Sequence, residues 1–443
     1  MSTPSFNISD GDFRALFSAM VSEAELDSLI KEFRRSTAGA PTRVSAHSLV
    51  MGMVFHVLLP AGLLSTHIQQ VTGQKICDSS ISQRREAMGT TLFHVLLNKT
   101  LAHMAHPSTH PHAFYKKLRL VGIDGSTFSI ANTPSVKACA RKTRSRRGPA
   151  AFFKLAMTAL HELGTHNPLA AKIGMKGESE MALAVPLISD IPSGCLLIAD
   201  RYYGVAKFLT ALLDVPTKPC FLVRSRDNLK CVYVKHFADG SSLIEIRDET
   251  TRKKTLLREI LGRVQTRSGR WQSVRLWTNL LDPKMYPAKE LVALYGMRWE
   301  QETAFKQIKV NLRRSPVLLS HTLVAATQEI CCLLLAQNAL ARMRLSAAGK
   351  ECPLLQISFT QTLQHCRSYW FFASDVFGDI ITPEQRNLLL ERILAMLRQQ
   401  PSPPRRARSC PRALRQPVSK WPRLRKNAYS KGTFKFQIIR KSR

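Results

Sequence analysis

YGMRWEQETAFKQIK, residues 295–309, has neither Gly nor Pro after Gly296 and is rich in helix formers. That composition predicts an α-helix. Tyr295, Arg298, Glu302 and Lys309 are spaced Tyr-x2-Arg-x3-Glu-x6-Lys. At about 100° per residue these offsets place all four within an arc of roughly 60°. Leu294, Met297, Phe305 and Ile308 fall on an adjoining arc, the natural core face. A carboxylate on such a face can hold a divalent cation, and the two cations beside it can hold phosphate. The competing reading is a solvated charged face carrying an i,i+4 Arg–Glu pair.

The rest of the chain bears on that choice. Its 443 residues are enough for two to four domains. Lys and Arg number 65 against 31 Asp and Glu, a formal net charge of +34. Such an excess calls for a polyanionic partner, nucleic acid first and an anionic membrane second. The most apolar stretches, 44–64 and 323–340, are broken by His47, His56 and Pro60, or by Gln328, Glu329, Gln337 and Asn338. Neither reads as a membrane span, and no membrane partner is expected. The polar, acidic start, MSTPSFNISDGDF, does not read as a signal peptide. Ten cysteines without a Cys-x-x-Cys pair fit reduced, buried thiols in a cytosolic protein.

Residues 1–110 read as a helical N-terminal DNA-binding domain. Residues 12–33 carry a 3.6 period, and 44–64 form a second, largely buried helix interrupted at Pro60. STHIQQVTGQKICDSSISQRREAMG then fits a helix-turn-helix, with a turn at Thr72-Gly73 and a Ser-capped second helix beginning near Ser79. That helix would offer Arg84 and Arg85 to bases and phosphates, although αα-hairpins of this kind are common. His103, His106, His110 and His112 lie among prolines and without acidic companions, so a linker is expected rather than a metal site.

Residues 114–130 read as strand, Asp124-Gly125, strand. Asp124 is either a strand-end carboxylate or part of a hairpin turn. The basic run KACARKTRSRR, 137–147, could track a phosphate backbone or be a solvated loop. HELGTH, 161–166, has the wrong spacing for a zinc-protease helix. CLLIADRYYG, 195–204, is an apolar strand ending in Asp200, where α/β folds place ligands, or where an Asp caps the next helix. Residues 220–285 form a small, basic, β-rich insertion. Helices follow at 322–343 and 374–399. Residues 401–443 hold fourteen basic residues and no acidic one, a composition that predicts disorder until nucleic acid is met.

Three carboxylates stand out: Asp124, Asp200 and Glu302. Converging carboxylates suit two hard divalent ions, which can serve in-line phosphoryl transfer. IDGST at 123–127, LLIADRYY at 196–203, WTNLLD at 277–282 and the ungapped Tyr-Arg-Glu-Lys signature resemble the DDE transposases of the insertion-sequence-four type. The resemblance covers roughly residues 10–345 and implies an α/β, RNase H-like catalytic domain, a mixed sheet flanked by helices. That domain would span 111–345, with a helical region at 346–400 after it.

It implies that Asp124, Asp200 and Glu302 bind Mg²⁺, two ions with Mn²⁺ as a substitute, and that Tyr295, Arg298 and Lys309 engage the backbone of the DNA end. It also implies cut-and-paste chemistry on the element's inverted repeats, a homodimer on double-stranded DNA, and a bacterial cytoplasmic, nucleoid-associated location. Some relatives hold a flipped base on an aromatic of the insertion. Trp271 and Trp277 are candidates here, with core packing the competing role. A structure-selective nuclease on the same fold and a catalytically silent DNA-binding derivative share these features.

Overall fold

The computed structural model describes residues 12–33, 44–140, 142, 144–145, 148–174, 177–265, 271–313, 315–349, 352–373, 380–402 and 435–438. The chain divides into two compact units, residues 1–113, 125–187 and 303–402, and residues 114–124, 188–302 and 403–443.

The first unit is built around one helix, Leu323–Ala347. Thr322 caps it by accepting from the Ala325 amide. It is long and apolar enough to cross a membrane, yet 83% of its most apolar window is buried inside the protein. A helix apolar on every side belongs in a core. Ala46–Leu58, Asp78–Met88, Thr91–Thr100, Phe359–Phe372, Pro383–Gln399 and the strand Asn167–Gly174 pack around it.

The expected helix over 12–33 is two, Phe13–Met20 and Glu23–Phe33, because Ser22 accepts from the Glu25 amide and starts a second one. The helix-turn-helix pattern forms as Leu64–Thr72 and Asp78–Met88, with Gly73 left-handed at the turn. Its second helix starts at Asp78 and has no side-chain cap, contrary to the expected Ser cap.

HELGTH closes the antiparallel hairpin of Phe153–Glu162 with Asn167–Gly174. Glu162 is fully buried and accepts from the Met104 and Ala105 amides and the Thr165 hydroxyl. Its work is structural.

The second unit is a mixed sheet. Leu118–Ile123 of the strand Leu118–Ile130 runs parallel to Cys195–Ala199, which runs parallel to Cys220–Arg224. Trp271–Thr278, Lys254–Gln265, Ser242–Arg247 and Val232–His236 then follow, each antiparallel to the last. Cys195–Ala199 is buried at every residue, as a central parallel strand must be.

Two expectations change here. Cys220–Arg224 belongs to the parallel core of the sheet and not to an insertion, and no hairpin turn forms at Asp124-Gly125. Leu118–Ile130 is one strand, and the turn precedes it at Lys116, whose φ is 56°. The basic tail was expected to be disordered, but Lys435–Ile438 is a strand paired antiparallel with Gly262–Gln265. Residues 403–434 and 439–443 lie outside the described residues.

The opening stretch is not one α-helix. Tyr295–Met297 is a 3-10 turn, Arg298–Lys306 is α-helical, and Gln307–Leu312 is a π-helix. The Arg313 amide reaches back five residues to the Ile308 carbonyl at 2.9 Å. Buried Gln337 holds this widened turn, donating to the Ala304 carbonyl at 3.1 Å and to Gln307 Oε1 at 3.2 Å. A π-turn rotates everything after it, so the arc of roughly 60° expected of a uniform helix does not extend to Lys309. Phe305 and Ile308 are buried as expected, while Leu294 and Met297 are only half-buried.

Candidate active site

Parallel pairing of Leu118–Ile130 with Cys195–Ala199 ends at Ile123 opposite Ala199. The next residues on the two neighbouring strands are Asp124 and Asp200. Two apolar strands thus deliver two carboxylates side by side at the carboxyl edge of a sheet, where open α/β folds bind ligands. Asp200 Oδ1 accepts from the Tyr202 amide at 2.7 Å. Asp200 therefore closes the following turn but does not cap the next helix, Ala206–Asp214, whose N-cap is Val205.

Gly204 lets that turn close, because a Cβ there would stand 2.2 Å from the Arg224 carbonyl oxygen. A cavity of about 600 Å³ opens beside Asp200, lined by Arg201, Tyr202, Arg224, Ser225 and Arg226 among others. Three arginines against two carboxylates, Asp200 and Asp227, leave the lining net positive, which suits a polyanion.

The helical stretch adds Tyr295, Arg298 and Glu302 to the same unit. Arg298 Nη1 donates to Glu302 Oε1 at 2.9 Å. The guanidinium lies 4.9 Å from the Trp299 ring centroid. Burial pushes the Tyr295 phenol above its ordinary range; Arg298 and Arg224 draw it down, and Asp200 and Asp124 push it up. Burial opposes the charge on Arg298, but Tyr295, Glu302 and Asp124 outweigh it and raise its pKa. Asp124 acts on both Tyr295 and Arg298, Asp200 on Tyr295, and Glu302 on Arg298.

Among the described residues, no three His, Cys, Asp or Glu side chains stand close enough to hold a metal ion. The donor set still fits a hard cation, with oxygen donors only and two of them from adjacent strands where their pairing ends. The third carboxylate, Glu302, is held in the ion pair with Arg298.

Lys309 belongs to the other unit, where it donates to Ser126 Oγ at 3.0 Å. Arg84 donates to the Val44 carbonyl at 2.8 Å. Arg85 turns inward, donating to Gln328 Oε1 at 3.1 Å, to the Ala325 carbonyl at 2.8 Å and to Ser320 Oγ at 3.3 Å. Gln328 returns bonds to the Arg85 and Gly89 carbonyls. This corrects the expectation that Arg85 presents itself to a DNA groove. It instead locks its helix to the core helix.

Arg85→Ala is expected to destabilise the protein by about 2–4 kcal/mol, since several bonds from one charged donor are lost together. Chemical denaturation measures this. Unchanged stability with lost discrimination between DNA sequences would restore the groove-reading role.

Sequence reasoning missed Arg201, Arg224 and Arg226. Arg201 directly follows Asp200 and could have been found there; Arg224 and Arg226 reach the cavity through the strand Cys220–Arg224, which pairs with the strand before Asp200, and the loop after it. Of the two tryptophans, Trp277 is buried and donates to Glu259 Oε1 at 3.3 Å, whereas Trp271 is 45% exposed.

A family profile described as "Transposase DDE domain" matches residues 115–339. The chain is 24% identical over 371 residues to "Transposase InsG for insertion sequence element IS4" of Escherichia coli (strain K12), covering 80% of each protein. Among solved structures, the cryo-EM structure of the piggyBac transposase synaptic complex with hairpin DNA aligns with a TM-score of 0.42 and 10% identity, over 87% of this chain and 80% of that one. The family match runs through Asp124, Asp200 and Glu302 and spans just over half of the chain. The chain belongs to the DDE transposase family, with an RNase H-like fold and an enzyme's activity in DNA transposition.

Proposed function

We propose that the chain carries out cut-and-paste transposition of its own insertion sequence: it binds the terminal inverted repeats, frees each 3′ end and joins it to target DNA. The observation that carries this reading is the adjacency of Asp124 and Asp200, where the pairing of their two strands ends, with Glu302 ion-paired to Arg298 in the same unit. Asp124, Asp200 and Glu302 hold Mg²⁺, and Mn²⁺ can substitute. When bound, the divalent ions supply an activated oxygen nucleophile and neutralise charge on the leaving oxygen.

The chain's own residues do the rest. Arg298 and Tyr295 grip the backbone beside the scissile bond, and Lys309 takes a further phosphate. Arg201, Arg224 and Arg226 line the approach to Asp200 and screen the incoming polyanion. Arg298 guards Glu302 in the absence of DNA and exchanges the carboxylate for phosphate when DNA arrives. The two element ends need two protomers, so the working form is a homodimer on DNA. The site of action is the bacterial cytoplasm, at the nucleoid.

The test is incubation of the purified protein with Mg²⁺, a duplex carrying the element's end and a target plasmid. A nick leaving a 3′-OH, followed by covalent joining of that end to the plasmid, is expected. Cleavage without joined product would identify a nuclease, and binding without either would identify a silent DNA-binding derivative.

A further inference from the structure

The first unit sets two cations from outside the Tyr-Arg-Glu-Lys signature, Lys154 and Arg313, beside its Lys309. Lys309 Nζ bonds to Ser126 Oγ, and Lys154 Nζ bonds to Ser129 Oγ. Both serines lie on the strand Leu118–Ile130. Between them Phe128 is fully buried, and its ring forms a floor under Lys309 Nζ at 5.9 Å and Arg313 Cζ at 6.0 Å. Arg313 is half-buried, and its buried Nε has no hydrogen-bond partner among the described residues.

These three cations press on one another. Burial lowers the pKa of the Lys309 ammonium, and Arg313 and Lys154 lower it further. The acid that acts on Arg313 is Glu329. Its oxygens already accept from the Leu319 and Ser320 amides and the Ser320 hydroxyl. Like charges held together over an apolar floor, with two hydroxyls and an unpaired guanidinium N–H, form an incomplete site whose missing member is an anion.

We infer that Lys154 and Arg313 join Lys309, Ser126 and Ser129 in a seat for one phosphodiester of the DNA backbone. The seat makes Lys154 and Arg313 DNA-positioning residues. This rests on the reading of the chain as an enzyme acting on DNA. A phosphodiester suits the site better than a carboxylate partner would: its oxygens can take bonds from several donors at once, and the seat offers two ammonium groups, a guanidinium fork and two hydroxyls.

The test uses the full chain, a short duplex carrying the element's end, and a parallel set in which single phosphates are replaced by uncharged methylphosphonates. The wild-type protein is expected to lose affinity when one particular backbone position is neutralised. Lys154→Gln combined with Arg313→Gln is expected to flatten the slope of log K against log salt by about 1. The double variant should also become indifferent to that one methylphosphonate. Arg313→Lys, which keeps the charge, should restore most of the slope, and thermal unfolding of each variant checks that the fold is intact.

An unchanged slope and unchanged methylphosphonate sensitivity in a folded double variant would overturn the seat while leaving the transposase reading intact. Wild-type protein that shows no salt-dependent DNA binding at all would overturn both. Equal loss of affinity at every backbone position, in wild type and variant alike, would show a diffuse basic surface and overturn the seat.

Discussion

Glu302→Gln is expected to lower cleavage of a matched DNA end in Mg²⁺ by about 10³-fold or more, because a ligand carboxylate acts with its partners as a unit. The substitution keeps size and helix propensity and removes only the charge. Its structural cost is modest, about 1–2 kcal/mol: the Arg298–Glu302 side chains are 16% and 28% exposed, and Gln can still accept from Arg298. Asp124→Asn and Asp200→Asn should match it in effect. Asn at 200 can still accept from the Tyr202 amide, so that turn survives. Combining the substitutions should cost little beyond any one alone.

A plain salt-bridge face predicts the opposite, a minor change in stability and normal cleavage. The measurement is single-turnover strand cleavage with purified variants beside their denaturation curves. Near-normal cleavage by the Glu302→Gln protein would remove Glu302 from the site. Arg298→Ala gives a second readout. If Arg298 guards Glu302, its removal frees the carboxylate yet loosens the DNA end, so DNA binding should weaken while metal binding is retained.

Two of the three candidate carboxylates were legible because each follows a recognisable local pattern. Asp200 ends an unbroken apolar run that could only be a buried strand, and Glu302 stands at a helical spacing from Arg298. What could not be read depended on partners far along the chain. Asp124-Gly125 carries a strong hairpin signal, yet Leu118–Ile130 is one strand that runs straight through it, paired with partners far along the chain. The π-turn after Lys306 depends on Gln337, about thirty residues later. Arg85 looked like a groove reader because its partners, Ser320, Ala325 and Gln328, lie more than 230 residues away. Local composition likewise marked the 401–443 tail as unable to fold, but a strand needs only an open edge, and Gly262–Gln265 offers one.

Arg275→Met is expected to destabilise the protein by about 3–5 kcal/mol, the range for breaking a buried ion pair from one side. Glu259 is 1% exposed in the middle of the strand Lys254–Gln265. It accepts from Arg275 Nε at 2.6 Å, from the Tyr233 hydroxyl at 2.5 Å and from Trp277 Nε1 at 3.3 Å. Burial and the Glu259 carboxylate together hold the Tyr233 phenol well above its ordinary range, so Tyr233 stays a donor across the physiological pH range.

Removing Arg275 leaves this carboxylate buried without its counter-charge. It also removes the guanidinium stacked 4.9 Å from the Trp277 ring. Arg275 Nη1 further donates to the Arg226 carbonyl at 3.0 Å and to the Leu229 carbonyl at 2.8 Å, fixing the loop that carries Arg226 to the cavity beside Asp200. The same substitution should therefore weaken DNA binding at temperatures where the protein remains folded. Urea unfolding of Arg275→Met, Glu259→Leu and the double variant separates the possibilities. If the ion pair is what matters, the double variant should be more stable than Arg275→Met alone, because no uncompensated charge remains. A double variant as unstable as the sum of the singles would mean that Arg275 acts through its loop contacts rather than through Glu259.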